Sequence, residues 1–433
     1  MKRTLKTLSL VFFMAVIVVL SSCIKANNQA NVSLRVAFWG DVKEIEIIKK
    51  SVARFEKENP DIKVKLERLP AGDPYTEKIL TMIAGGNPVD IMFCNAERFY
   101  NYAARGILLP LNDFVKKYNF PIDKFYKRIV QKFSIGDNLY VLPRDIAPVC
   151  VVFYNKHLFD EAGLAYPTND WTWDDLVRYG QALTKKNPDG SMTFGFADDW
   201  SIWDAFVLSK GGKYVDDLKN PKKCLLDSKE SMEGLQFRQD LIYKHKIMPS
   251  PSQLTAMGGV GSADMFMQGK VAMFFSGIWK TPFFREIKKF DWDCVIFPKP
   301  KDGRNGFLCS GGGYAILRTT KYPEESWKLL TFLSGVEGQK DLARTGLAQP
   351  AIVEIAKSKD FLDGKPPKSK DFLLTAADMG DFMPDSLKWE EALSSYWYPA
   401  LDKIWANEKK PVEVVPDAVK KINKLLAEEK KTK

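Results

Sequence analysis

Histidine is almost absent from this chain: His157 and His245 are the only two in 433 residues. That scarcity excludes a histidine-rich metal site. His157 falls in the turn Tyr154-Asn155-Lys156-His157 and is expected to be structural. No CxxC pair occurs. With Cys23 set aside, the cysteines are Cys94, Cys150, Cys224, Cys294 and Cys309. An odd number cannot all pair within one chain, so buried free thiols are expected instead of a disulfide framework. A GxSxG nucleophile elbow and a glycine-rich phosphate loop are also missing, which removes two common routes to catalysis. No repeat or low-complexity block interrupts the chain. Beyond the N-terminal segment, no run is long and apolar enough to span a bilayer.

The N-terminal segment is distinctive. Lys2, Arg3 and Lys6 precede an uncharged, mostly apolar run from Leu8 to Leu20. This is too short for a membrane span and has the layout of a secretory signal. It ends in Leu20-Ser21-Ser22-Cys23, which resembles the bacterial lipobox, where the cysteine is lipidated and becomes the new N-terminus. Residues 1–22 are thus expected to be a lipoprotein signal and 23–30 a polar tether. Several acyl chains on one terminus would anchor the protein stably.

The formal net charge is +10, and three of those charges belong to the signal. The remaining excess is diffuse, with some concentration from Lys420 to Lys433. Diffuse charge reads as a solvated surface, and export argues against nucleic acid as a partner. About 410 residues after processing suffice for two domains.

Strand and helix patterns alternate along the first part. Leu34 to Phe38 alternates as a strand and ends in Trp39-Gly40-Asp41. Lys43 to Asn59 has helical spacing at Ile45, Ile48, Val52 and Phe55. Ile62 to Leu66 alternates again. Thr76 to Ala84 reads as a helix stopped by Gly85-Gly86-Asn87-Pro88, and Asp90 to Phe93 as another strand. Such repetition predicts an open α/β sheet with helices on its faces, and ligands there bind beyond the carboxyl ends of strands. Trp39, Asp41, Asn95, Glu97 and Arg98 all fall at such ends.

A second α/β pattern runs from Val149 to Phe297, followed by a linker-like break at Pro298-Lys299-Pro300. Within it, Val271 to Phe275 is a short apolar strand bounded by Gly269 and Gly277, with Trp279 just beyond. A flat aromatic there suits a cleft wall against which a sugar ring stacks. The alternative is a core tryptophan under a helix. Beyond Glu324 the pattern is mainly helical, ending with Val419, Ile422, Leu425 and Leu426 on one face.

These landmarks carry a resemblance. In order they are the strand ending at Trp39; Gly85-Gly86-Asn87-Pro88-Val89-Asp90-Ile91; Tyr154-Asn155-Lys156; Ala162-Gly163 with Trp173-Asp174-Asp175-Leu176; Gly269 to Trp279; and Gly312-Gly313-Tyr314-Ala315-Ile316. The set resembles lipid-anchored extracellular solute-binding proteins of the carbohydrate-uptake ABC-transporter class, the group containing maltose-binding protein. It covers nearly the whole mature chain. In that relative an acid–arginine pair holds sugar hydroxyls, and Glu97 and Arg98 match it; a surface ion pair at the start of the next helix is the alternative. Cys94 departs from the pattern, standing where the relative has a stacking tryptophan. By the same resemblance Trp279, Trp397 and Trp200 are candidate ligand aromatics. Trp39 and Asp41 supply ring and polar contacts, and Asp145 is a carboxylate at the crossing between domains. Gly312 completes the set. Core packing or a cap remains the alternative for Trp200, Trp203 and Asp145.

The resemblance implies an α/β fold of two hinged lobes, 31–143 with 301–322 and 145–298 with 323–433. It implies a carbohydrate ligand, an ABC permease as membrane partner, a monomer, no cofactor and no catalysis. The place would be the outer face of the cytoplasmic membrane or the periplasm. Two other functions stay open. One is the same fold binding glycerol phosphate, a polyamine or a metal chelate; for a phosphate, Arg98 and Arg344 are the candidate donors. The other is an exported carbohydrate-active enzyme, which needs two carboxyls at a set separation.

Overall fold

The chain forms two five-stranded sheets. In the computed structural model, residues 32–200, 202–259 and 261–429 are described. The signal, the tether and Cys23 lie outside them. The first sheet has the order Ile62–Arg68, Val32–Phe38, Ile91–Asn95, Gly312–Ile316, Val141–Pro143. Its first three strands run parallel. Parallel neighbours need crossovers, supplied by the helices Val42–Glu58 and Asp73–Ala84. Asp41 caps the first of these, accepting from the Glu44 N–H at 3.0 Å, and Ile48, Val52 and Phe55 form its buried stripe. Val32–Phe38 lies between strands two and three of the sequence, so the connections leave a crevice beyond the carboxyl ends of these strands. Pro143 sits in the edge strand, the place where a missing N–H costs the sheet least.

The second sheet has the order Trp292–Ile296, Val151–Asn155, Val271–Ser276, Met192–Asp198, Lys185–Lys186. Its central strands are buried along their length, which is why they read as unbroken apolar runs. Helices cover it, among them Trp173–Leu183, started by a capping box between Thr172 and Asp175. The chain leaves the first sheet after Pro143 and returns before Gly312. On the way Ala147–Pro148 and Cys309–Ser310 pair antiparallel as a two-stranded link. Near Gln349 a third segment joins this link, where the Ile146 N–H donates to the Gln349 carbonyl at 3.1 Å. The molecule is therefore a two-lobed α/β protein with its crossings gathered at one hinge.

One expected boundary moves. Helix Pro323–Ser334 packs on the first sheet, against Gly312–Ile316 and helix Val42–Glu58, instead of starting the second lobe. Phe332 meets Phe55 edge-on at 5.4 Å, and Trp327 stacks on Phe114 at 5.4 Å. Helix Val336–Thr345 follows it onto the same face. Later helices turn to the second lobe: Trp389–Ala392, Tyr398–Trp405 and Pro411–Glu429 share a core with Trp203, Val207 and Tyr214. Cys94, Cys150, Cys224, Cys294 and Cys309 are all free and buried. No described helix is long and apolar enough to cross a membrane.

Candidate functional site

A cleft of about 1290 Å³ opens between the lobes. This exceeds the roughly 300–1,000 Å³ of an ordinary small-molecule pocket. The first lobe supplies the ends of two strands. Trp39 stands edge-on to Tyr75 at 4.5 Å and to Phe93 at 4.6 Å, so its ring is braced from behind. Gly312 sits opposite, where a Cβ would lie 2.3 Å from the Phe93 ring. Asn95 Nδ2 donates to Glu97 Oε2 at 2.6 Å, leaving the buried Asn95 Oδ1 without a hydrogen-bond partner. Burial pushes the Glu97 carboxyl up from the ordinary carboxylate range. Arg98 does not pair with Glu97. Its guanidinium is held by Asp73 at 2.8 Å and by Glu390 at 3.0 Å, so it links the first lobe to the C-terminal helices.

The hinge carries a closed ion network. Arg144 is buried between Glu44 at 2.9 Å and Asp145 at 2.7 Å, with its guanidinium 4.4 Å above the Phe93 ring. Asp145 Oδ1 also accepts from the Gly312 N–H at 2.9 Å. Both Asp145 oxygens are thus engaged within the protein.

The second lobe contributes aromatic faces. Trp279 and Trp200 stack at 5.7 Å with a 15° angle between planes. Trp200 is 63 % exposed and has a φ of 32°, a left-handed conformation that is uncommon for a bulky residue. Lys280 lies beside it, paired with Asp199 at 3.1 Å. Asp204 lies on the floor, 6 % exposed, and accepts from the Tyr214 hydroxyl at 2.6 Å. Burial pushes its carboxyl up to about 7.

Residues 39–340 match the family of bacterial extracellular solute-binding proteins. The chain belongs to this family. Among curated relatives, it is 28% identical over 333 residues to an arabinooligosaccharide-binding protein of Halalkalibacterium halodurans, covering 74% of this chain and 68% of that one. It is 24% identical over 349 residues to a multiple sugar-binding protein of Streptococcus mutans, covering 73% and 75%. Among solved structures, an ABC substrate-binding protein of Listeria monocytogenes in complex with cycloalternan superposes with a TM-score of 0.82. The identity is 25%, over 92% of this chain and 99% of that one. A maltose-bound protein of T. maritima gives a TM-score of 0.77 at 21% identity, again over 92% and 99%. The two-lobed periplasmic-binding-protein fold is shared with both.

The cleft of this solute-binding protein brings together Trp39, Asp41, Asn95, Glu97, Arg98, Asp145, Trp200, Trp279 and Gly312. Asp41 stands at the rim as a helix cap. Trp397 is the exception and is a correction. It is fully buried, 5.0 Å from Trp203 in the helical core. The cause is a five-residue π-helical stretch, Leu393–Trp397, just before Pro399. Pro399 has no N–H for the regular ladder, and the wider turn shifts the helix phase. Glu390, Ser394, Tyr398, Leu401 and Trp405 face the cleft instead. Their spacing of four, four, three and four places them along one side of the helices that flank the π-helical stretch. Glu44, Arg144 and Asp204 had no signal in the sequence. Arg344 lies outside the cleft, paired with Asp360 at 2.8 Å, and Cys94 is buried behind the wall.

Proposed function

We propose that this protein captures a sugar or oligosaccharide in the interlobe cleft and presents it to an ABC permease, tethered by a lipid on Cys23. One observation carries the reading: aromatic faces from both lobes share the cleft with two carboxylates, Glu97 and Asp204, that form no ion pair among the described residues. Trp39 and the Trp200–Trp279 stack offer flat apolar surface for the C–H faces of a sugar ring. Glu97 and Asp204 offer carboxyl oxygens as acceptors for hydroxyl donors. A carbohydrate presents both kinds of surface on one ring. The cleft volume favours several rings, and the named ligands of the relatives are saccharides.

The glycerol phosphate reading loses its support, because Arg344 is outside the cleft and Arg98 and Arg144 are held by carboxylates. A polyamine keeps one observation in its favour, the surplus of acidic side chains. The deciding measurement is tryptophan fluorescence and thermal melting of residues 24–433 against neutral mono- and oligosaccharides and against spermidine. A ligand at a hundredfold excess over its Kd should add about 2.7 kcal/mol of stability. A response to spermidine alone would replace the sugar reading. Hydrolysis of a bound saccharide would favour the enzyme.

A further inference from the structure

The cleft's charge runs opposite to that of the molecule. Carboxylates outnumber basic groups among its lining residues, eight to four, on a chain whose net charge is +10. Three of the four basic groups are held in ion pairs. Arg98 is engaged by Asp73 and Glu390, Arg144 by Glu44 and Asp145, and Lys280 by Asp199. The fourth, Arg68, stands at the rim and donates to the Gly40 carbonyl. By contrast the hydrogen-bond partners of Glu97 and Asp204 are neutral: Asn95 and Ser310 for Glu97, Tyr214 for Asp204. Neither forms an ion pair among the described residues. They come from different lobes, and the charge on Glu97 raises the Asp204 carboxyl further. Lys132 and Arg98 act on Glu97 only at a distance and are themselves paired with other acids, and no cation offsets Asp204, so ionising both mostly buried acids together is costly. A ligand that brings hydrogen-bond donors or positive charge relieves that cost, whereas one that brings negative charge adds to it.

Resting on the saccharide reading above, we propose that this cleft selects saccharides by charge. Neutral and amine-bearing units are seated between Glu97 and Asp204, and carboxylated or phosphorylated units are rejected. The rejection is local. At long range the positive molecule attracts anions, so a selectivity set by net charge alone would run the other way.

The test compares three pools on the intact chain from residue 24 by thermal melting and fluorescence titration. They are neutral oligosaccharides from arabinan, mannan and starch, glucosamine oligomers from chitosan, and oligogalacturonates from pectate. The expected result is a raised melting temperature with a neutral or glucosamine pool. Oligogalacturonates should bind roughly tenfold more weakly or worse. High salt should narrow that gap in proportion to how exposed the charges are. In Glu97→Gln and Asp204→Asn the gap should shrink without loss of fold, since each amide oxygen still accepts from the existing neighbour. Oligogalacturonates binding as tightly as the neutral pool would overturn the charge selectivity while leaving the saccharide reading intact. No response to any pool would overturn both.

Discussion

Gly277 has no room for a side chain. A Cβ there would lie 2.0 Å from Cζ3 of Trp279, so the indole can fold back over the strand end only because this residue is glycine. Gly277→Ala is expected to push the ring off its stack with Trp200. Overpacking of this kind costs about 1–3 kcal/mol, and a displaced platform weakens ligand binding as well. Both should appear together, as a lowered melting temperature and a raised Kd for whichever saccharide the panel identifies. An unchanged Kd would mean that the platform does not touch ligand. Asp204 carries a separate prediction. Its carboxyl is raised to about 7 when folded, against an ordinary value of 3.8. Between those values the folded chain holds a proton that the unfolded chain has lost, so this group's contribution is greatest in acid and is lost as pH rises to about 7. From pH 5 to pH 8 the wild type should lose roughly 2–3 kcal/mol more than Asp204→Asn in urea unfolding. Parallel curves for the two proteins would refute this.

At the level of elements, strands were the readable part. Val32–Phe38, Ile62–Arg68 and Ile91–Asn95 alternate or run apolar between turn residues, and local sequence dictates both features. Their carboxyl ends placed Trp39, Asn95 and Glu97 in the cleft. Helices were less readable, because a helical stripe says that one face is buried but not what buries it. Pro323–Ser334 covers the first sheet for this reason, against expectation. Trp397 was misplaced for another: the π-helical turn before Pro399 alters the phase, and residue spacing alone assumes a regular ladder. The two aromatics at that turn should now separate cleanly. Trp397→Ala leaves a cavity in a closed core and should cost about 3–5 kcal/mol in denaturant unfolding. Tyr398→Ala, at a position 44% exposed, should leave stability nearly unchanged and weaken binding by about 1 kcal/mol. If Trp397→Ala instead weakens binding without loss of stability, the helix phase described here is wrong.

Across the whole molecule, chain crossings gathered at one hinge join two lobes that each own part of the cleft wall. The ion network of Glu44, Arg144 and Asp145 sits on that hinge, and Arg98 with Glu390 spans the cleft beside it. Neither arrangement could be read from sequence, since Glu44 and Glu390 stand far along the chain from Arg144 and Arg98 and meet them only through tertiary packing. The five buried thiols have a use that follows from where they lie. Cys94 is in the first sheet, Cys294 in the second, Cys150 and Cys309 at the crossover, and Cys224 in the helical core. Burial holds each of them in the unreactive protonated form. An alkylating reagent therefore has to wait for each region to open, and the order in which the five sites are marked would be a stopwatch reading of which part of the molecule comes apart first.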